Sequence, residues 1–217
     1  AALLMAANAT VASAQNKATE SNGTGNTIEG VDKLYGIDPS SAICTNKGTA
    51  ETDGNRIVCL YNVGAKKFLS IGGKWGTHAS LNVSPHSIYM IWNNGSQTYF
   101  LQSKVTGSST GSYMGIFKDK DGVNGVFMDR KENCAIRFEK AKDYSATNKV
   151  YLVKINTAKP PFDQLGYLTA YPNDENKLCD YKTSLATEGT PEYKNQEWKV
   201  ITKNEYYLLF NTAPAYK

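Results

Sequence analysis

The chain repeats itself three times. A hydrophobic strand of the form Val58-Cys59-Leu60-Tyr61 recurs as Tyr99-Phe100-Leu101-Gln102 and again as Val150-Tyr151-Leu152-Val153. Each copy is followed by an aromatic and aliphatic pair, Phe68-Leu69, Tyr113-Met114 and Tyr167-Leu168, and each unit closes on an aromatic residue in an alternating run, at Trp92, Phe138 and Trp198. A single unit of this kind would leave one apolar side in water. Three units about an axis can bring Leu60, Leu101, Leu152, Trp92, Phe138 and Trp198 into one core.

Within each unit the alternation marks four short strands. They are expected at 56–61, 67–71, 79–83 and 87–92, then at 97–104, 112–117, 125–129 and 135–139, then at 149–155, 165–170, 176–180 and 196–201. The spacing is 41 residues from Leu60 to Leu101 and 51 from Leu101 to Leu152, so loops absorb the difference. The expected fold class is all-β, a β-trefoil with three unequal four-strand repeats, in which six strands close a short barrel and six form a cap of hairpins. An immunoglobulin-like sandwich has the right number of strands but no reason to recur in threes. The 14 Tyr and 18 Gly suit short strands joined by tight turns.

The first residues, Ala1-Ala2-Leu3-Leu4-Met5-Ala6-Ala7, read as the tail of an export segment, and Ala12-Ser13-Ala14 has the small-x-small pattern of a signal-peptidase site. A short apolar helix of the fold is the other reading of that stretch. The expected organisation is a residual signal peptide over 1–14, a flexible N-terminal arm and peripheral segment over 15–55 with a possible strand at 41–44, the trefoil over 56–201, and a C-terminal extension over 202–217 that continues into further sequence. Export makes the protein secreted or held at the cell surface. No run approaches the roughly 18 apolar residues of a membrane span. The net charge of +4 is dispersed over 24 basic and 20 acidic residues, which disfavours nucleic acid as a partner.

Four cysteines, Cys44, Cys59, Cys134 and Cys179, lack paired spacing, and only His78 and His86 are present to help them, so no metal site is expected. In an exported chain they allow three disulfide pairings. Cys44 with Cys59 closes the shortest loop and leaves Cys134 with Cys179; four buried thiols are the alternative.

Asn195-Gln196-Glu197-Trp198 resembles the NQxW signature of ricin-type lectin repeats, and the span from Arg56 to Ile201 is similar to such a trefoil. The stretch from Cys59 to Gly64, with Lys67-Phe68-Leu69 and Gly72-Gly73-Lys74-Trp75-Gly76-Thr77, resembles a segment recurrent in secreted proteins of gut Bacteroidetes. The resemblance implies a sugar site made by an aspartate, a stacking aromatic ring and an Asn or Gln. Asn195 and Gln196 match the signature, with a core ring and a backbone-bonded amide as the structural alternative for Trp198 and Gln196. Met90 and Ile136 stand where the first two units are expected to carry the glutamine.

Glycines on both sides of Trp75 let a loop project the indole toward a sugar ring, with Asn62, Lys74, Thr77 or His78 to bond its hydroxyls. Trp75 folded back over the barrel is the alternative. Asp129 and Arg130 occupy the matching place in the second unit as a polar fork or a solvent-facing ion pair. Tyr171-Pro172-Asn173-Asp174 is the third counterpart, an aromatic residue with an acid that also reads as a plain turn. No nucleophile, carboxylate pair or phosphate loop stands out, so the protein is expected not to be an enzyme and no cofactor is indicated. The expected function is a carbohydrate-binding module without catalysis, with glycan as partner. The alternative is a structural or protein-binding module of a larger extracellular protein. The sequence leaves the oligomeric state open.

Overall fold

The computed structural model describes residues 35–44, 56–72, 76–103, 112–118, 124–130, 134–156, 165–174 and 179–210. They form a mostly β-sheet fold, broadly consistent with a trefoil-like arrangement. After β1 (Ile43–Cys44), the first repeat holds β2 (Ile57–Asn62), β3 (Lys67–Ile71), β4 (Ala79–Asn82) and β5 (Ile88–Asn93). The second holds β6 (Thr98–Ser103), β7 (Tyr113–Lys118), β8 (Asn124–Arg130) and β9 (Ala135–Lys140), and the third holds β10 (Val150–Asn156), β11 (Leu165–Ala170), β12 (Cys179–Lys182) and β13 (Glu197–Thr202).

Six strands pair in a closed antiparallel cycle: β2 with β5, β5 with β6, β6 with β9, β9 with β10, β10 with β13, and β13 back to β2. Closure leaves no free edge in this ring. The other six form three hairpins, β3 with β4, β7 with β8 and β11 with β12.

The register shows which residues are equivalent. Val58 pairs with Ile88, Tyr99 with Ile136 and Tyr151 with Trp198, while Leu60 pairs with Val200, Leu101 with Met90 and Val153 with Phe138. The third counterpart of Leu60 and Leu101 is therefore Val153, not Leu152. A one-residue step reverses the face of a strand. Val153 and Ile155 enter the central core, whereas Leu152 packs outside it with Ala141, Val150 and Tyr193. Leu60, Leu101 and Trp198 are central and fully buried, and Phe138 packs against them half-buried. Trp92 is a further departure from expectation: it lies half-buried at the strand end, edge-on to Tyr99 at 4.8 Å. Trp198 has Ile88 and Ile136 as its counterparts, so the aromatic closure belongs to the third repeat alone.

Two segments outside the repeats complete the core. Residues 35–44 cross one end of the ring, where Ala42 joins the central cluster and Ile37 packs on it. Ile37 N–H donates to the Val200 carbonyl and Lys149 N–H to that of Tyr35. Asp38 anchors the segment by accepting bonds from the Tyr144 and Tyr151 hydroxyls and pairing with Lys149 at 2.9 Å, and the Tyr151 bond leads the effects that hold its carboxyl down at about 2. At the other terminus Thr202 and Glu205 form a capping box that starts the helix Lys203–Phe210. Tyr206 of that helix meets Phe68 edge-on at 5.5 Å, and Phe68 meets Tyr61 at 5.4 Å. The outer side of β2 is thus covered, and all six of its residues are buried.

The expected disulfides are not formed; Cys44, Cys59, Cys134 and Cys179 are buried thiols. The Cys44 thiol donates to the Met90 carbonyl on β5 and the Cys59 thiol to that of Ile201 on β13. Cys134 packs against Gly115 in the second repeat, and Cys179 pairs across from Ala170 in the third. Burial pushes the thiols of Cys44, Cys59 and Cys179 up.

Candidate functional site

The third repeat encloses a cavity of about 240 Å³. One side is the end of β11 and the turn after it, Thr169 to Asp174, closed by a bond from Asp174 N–H to the Tyr171 carbonyl at 3.0 Å. β12 runs back beside β11 and sets Lys182 on the rim. The opposite wall comes from a short helix, Pro191–Lys194, whose start is dictated locally: Thr190 caps the Tyr193 N–H at 3.2 Å and Pro191 needs no donor there. That helix puts Glu192 on the rim and ends at Asn195, whose carbonyl accepts from Ala170 N–H at 2.8 Å and ties the walls together. Tyr171 is half-buried in the turn, and burial pushes its phenol up.

Two of the residues expected at a ligand instead hold this wall from behind. Asn62 is fully buried, its Nδ2 donating to the carbonyls of Asn195 at 2.9 Å and Glu197 at 3.2 Å while its Oδ1 accepts from Ala65 N–H at 2.8 Å. Gln196 is also fully buried. Its Oε1 accepts from Ala186 N–H at 2.8 Å, and its Nε2 donates to the Ser184 carbonyl at 3.1 Å and to Thr169 Oγ1 at 3.2 Å. Both N–H donors of each amide are spent within the protein, and burial keeps the oxygens from a sugar. Asn195 differs, because the bonds that hold it in place are made by its main chain and the residue is part of the cavity lining. Gly64 lies directly against it, and a Cβ there would stand 2.3 Å from Asn195 Oδ1. In the register, Gln196 corresponds to His86 and Cys134, not to residues in line with Met90 and Ile136.

The remaining candidates are elsewhere. Lys74 and Trp75 lie outside the described residues. Thr77 donates to Asp129 Oδ2 at 2.8 Å, Met128 N–H donates to the Thr77 carbonyl, and His78 stacks on Phe127 at 4.7 Å. The structure brings these together as a seam between the first and second repeats. Asp129 and Arg130 do not form a fork: Asp129 accepts from the Thr77 hydroxyl, and the Arg130 guanidinium sits over the Phe117 ring at 4.6 Å. His86 and Ser103 contact each other at 2.5 Å, but the imidazole is 1% exposed and burial lowers its pKa to about 4, so no substrate reaches it. Among the described residues no group of three or more His, Cys, Asp or Glu could hold a metal ion.

The sequence reading underweighted Tyr171 and passed over Thr169, Lys182 and Glu192. The signal was present in Thr190-Pro191-Glu192: an N-cap followed by proline starts a helical turn, and that turn delivers Asn195 to the end of β11.

No family model matches the chain, and no curated relative matches it. Among solved structures it is similar to a ricin B-like lectin of Macrolepiota procera in complex with lactose, at 12% identity and a TM-score of 0.45, covering 68% of this chain and 96% of that one. It is also similar to a salivary protein from Culex quiquefasciatus of the Cysteine and Tryptophan-Rich family, at 13% identity and a TM-score of 0.46, covering 67% and 92%. A third similarity is to the lysenin pore, at 12% identity and a TM-score of 0.42, covering 67% of this chain and 46% of that one.

Proposed function

We propose that the protein is a carbohydrate-binding module without catalytic activity, built as a β-trefoil of three unequal four-strand repeats and acting outside the cell, secreted or at its surface. The observation that carries this reading is the third-repeat cavity. It is smaller than the roughly 300 Å³ at which drug-sized sites begin, and so suits a single sugar ring. Tyr171 offers an aromatic face, the Asn195 amide offers a donor and an acceptor, and Asp174 and Glu192 offer acceptors for hydroxyl groups. These are the groups that recognise a polyol with one apolar face.

The test is a glycan array followed by titration of the best ligand, using the intact protein with Tyr171→Ala, Asn195→Ala and Trp75→Ala. Asn195→Ala keeps the main-chain bonds of that residue and so separates binding from folding. We expect the first two variants to lose about tenfold or more in affinity, with melting temperatures near wild type, and Trp75→Ala to keep its affinity. Well-folded protein that binds no glycan saturably would overturn the reading. Loss of binding only in Trp75→Ala would move the site to the first repeat.

A further inference from the structure

The chain contains three Asn-Gly dipeptides, Asn22-Gly23, Asn94-Gly95 and Asn124-Gly125. Glycine after asparagine leaves the next main-chain nitrogen without a Cβ to shield it, so that nitrogen can reach the side-chain amide carbon wherever the asparagine is free to turn. Asn22 lies outside the described residues. The other two have opposite surroundings. Asn124 and Gly125 are paired in β8, across from Lys118 and Phe117, and Gly125 is buried so closely against His78 that a Cβ would stand 2.7 Å from its Nε2. Asn94 and Gly95 are exposed, in the four residues 94–97 that join β5 to β6. Two local bonds tie the main chain there: Gln97 Nε2 donates to the Asn94 carbonyl at 2.8 Å, and Gly95 N–H donates to Asn93 Oδ1 at 2.9 Å. The side-chain amide of Asn94 makes no hydrogen bond among the described residues.

We propose that Asn94 is a self-modifying site, converted to aspartate and isoaspartate through a cyclic imide, and that Asn93 sets its pace. Hydroxide removes the Gly95 N–H proton, the nitrogen bonds to the side-chain carbonyl carbon of Asn94, and the bond from that carbon to the amide nitrogen breaks and releases ammonia. Water then opens the imide at either carbonyl. The net change is ammonia lost and water gained, with no electron transferred. One opening leaves an aspartate; the other routes the main chain through the former side chain and lengthens the turn by one methylene. Either product puts a carboxylate at the head of the β5–β6 hairpin. Asn93 slows the first step, because a bonded N–H is protected from the hydroxide that has to remove its proton, as it is in amide exchange. In β8 the same closure needs β7 and β8 to part first.

The test is incubation of the native protein at mildly alkaline pH and body temperature, with tryptic peptide mapping over time; Asn94 and Asn124 fall on separate peptides. Native Asn94 should react about tenfold or more faster than native Asn124, in proportion to hydroxide, while in concentrated urea the two should react alike. Asn93→Ala should speed the native reaction several-fold and leave the rate in urea unchanged. Gly95→Ala, whose methyl group meets only Asn93 Oδ1, at 3.3 Å, should suppress the reaction with circular dichroism unchanged. Native Asn94 reacting no faster than native Asn124 would overturn the site, and a native rate indifferent to Asn93→Ala would overturn the role given to Asn93.

Discussion

Replacing Asn62 by alanine should be among the most damaging single changes in the chain, although the residue was a candidate for contact with ligand. Its side chain makes three neutral hydrogen bonds, at 2.9, 3.2 and 2.8 Å, from a position fully removed from water. Each such bond is worth about 1 kcal/mol net. Truncation also leaves two carbonyls and the Ala65 N–H competing for whatever water can enter, so a cost of about 3 kcal/mol is expected. For a domain of this size that lowers the melting temperature by roughly 6–12 °C. Asn62→Asp keeps the shape and the acceptor for Ala65 N–H but turns a carboxylate oxygen toward two carbonyls, so it should cost at least as much. Urea denaturation followed by circular dichroism measures both variants, and an unchanged slope would locate the effect in stability rather than in the denatured state. If Asn62→Ala melts within about 1 °C of wild type while glycan binding disappears, the residue acts on ligand and the clamp assigned to it is wrong.

Gly64→Ala should destabilise by about 1–3 kcal/mol and weaken sugar binding in parallel, since the new methyl group would meet Asn195 Oδ1 at 2.3 Å and the main chain of Lys194 and Asn195 at 2.7 Å; thermal melts with and without sugar test this. Asp38 titrates at about 2 when folded, below its ordinary value, so its contribution is fully present above about pH 4 and is lost as the pH falls toward 2. With its side chain 38% exposed that contribution is about 1 kcal/mol. Asp38→Asn should show it as a deficit near neutral pH that closes in acid, and a deficit independent of pH would refute the anchor. Thiol titration of the unreduced, denatured protein should find four free thiols.

Leu60 and Leu101 were readable as core positions because each is the leucine of a short apolar run that soon meets a polar residue, Asn62 and Gln102. In 150–155 nearly every position is apolar, and periodicity could not tell Leu152 from Val153. The closing aromatics misled for a related reason: Trp92 and Trp198 look alike in sequence, yet one ends a strand and the other fills the core. Alternation also fails along β2, because the C-terminal helix buries the outer side of that strand, and the capping box at Thr202 and Glu205 that starts this helix went unread. At the site the polar residues were found but not their direction. Asn62 and Gln196 look like sugar ligands as residue types. The Gln196 amide is spent on Ser184, Ala186 and Thr169, and the Asn62 amide on main chain at the crossing of β13 with β2.

That crossing also makes the cavity a property of the whole ring. Asn195 belongs to the last repeat and the amide that holds its carbonyl belongs to the first, 133 residues away. The third repeat cut out on its own would keep the turn at Tyr171 and the rim charges but lose the support behind Asn195. By linkage, a ligand that needs Asn195 in place also favours the pairing of β2 with β13, the join at which the first and last strands of the ring meet. Occupancy should therefore slow amide exchange along β2, remote in sequence from every residue that lines the cavity, and leave the β7 and β8 hairpin exchanging as before.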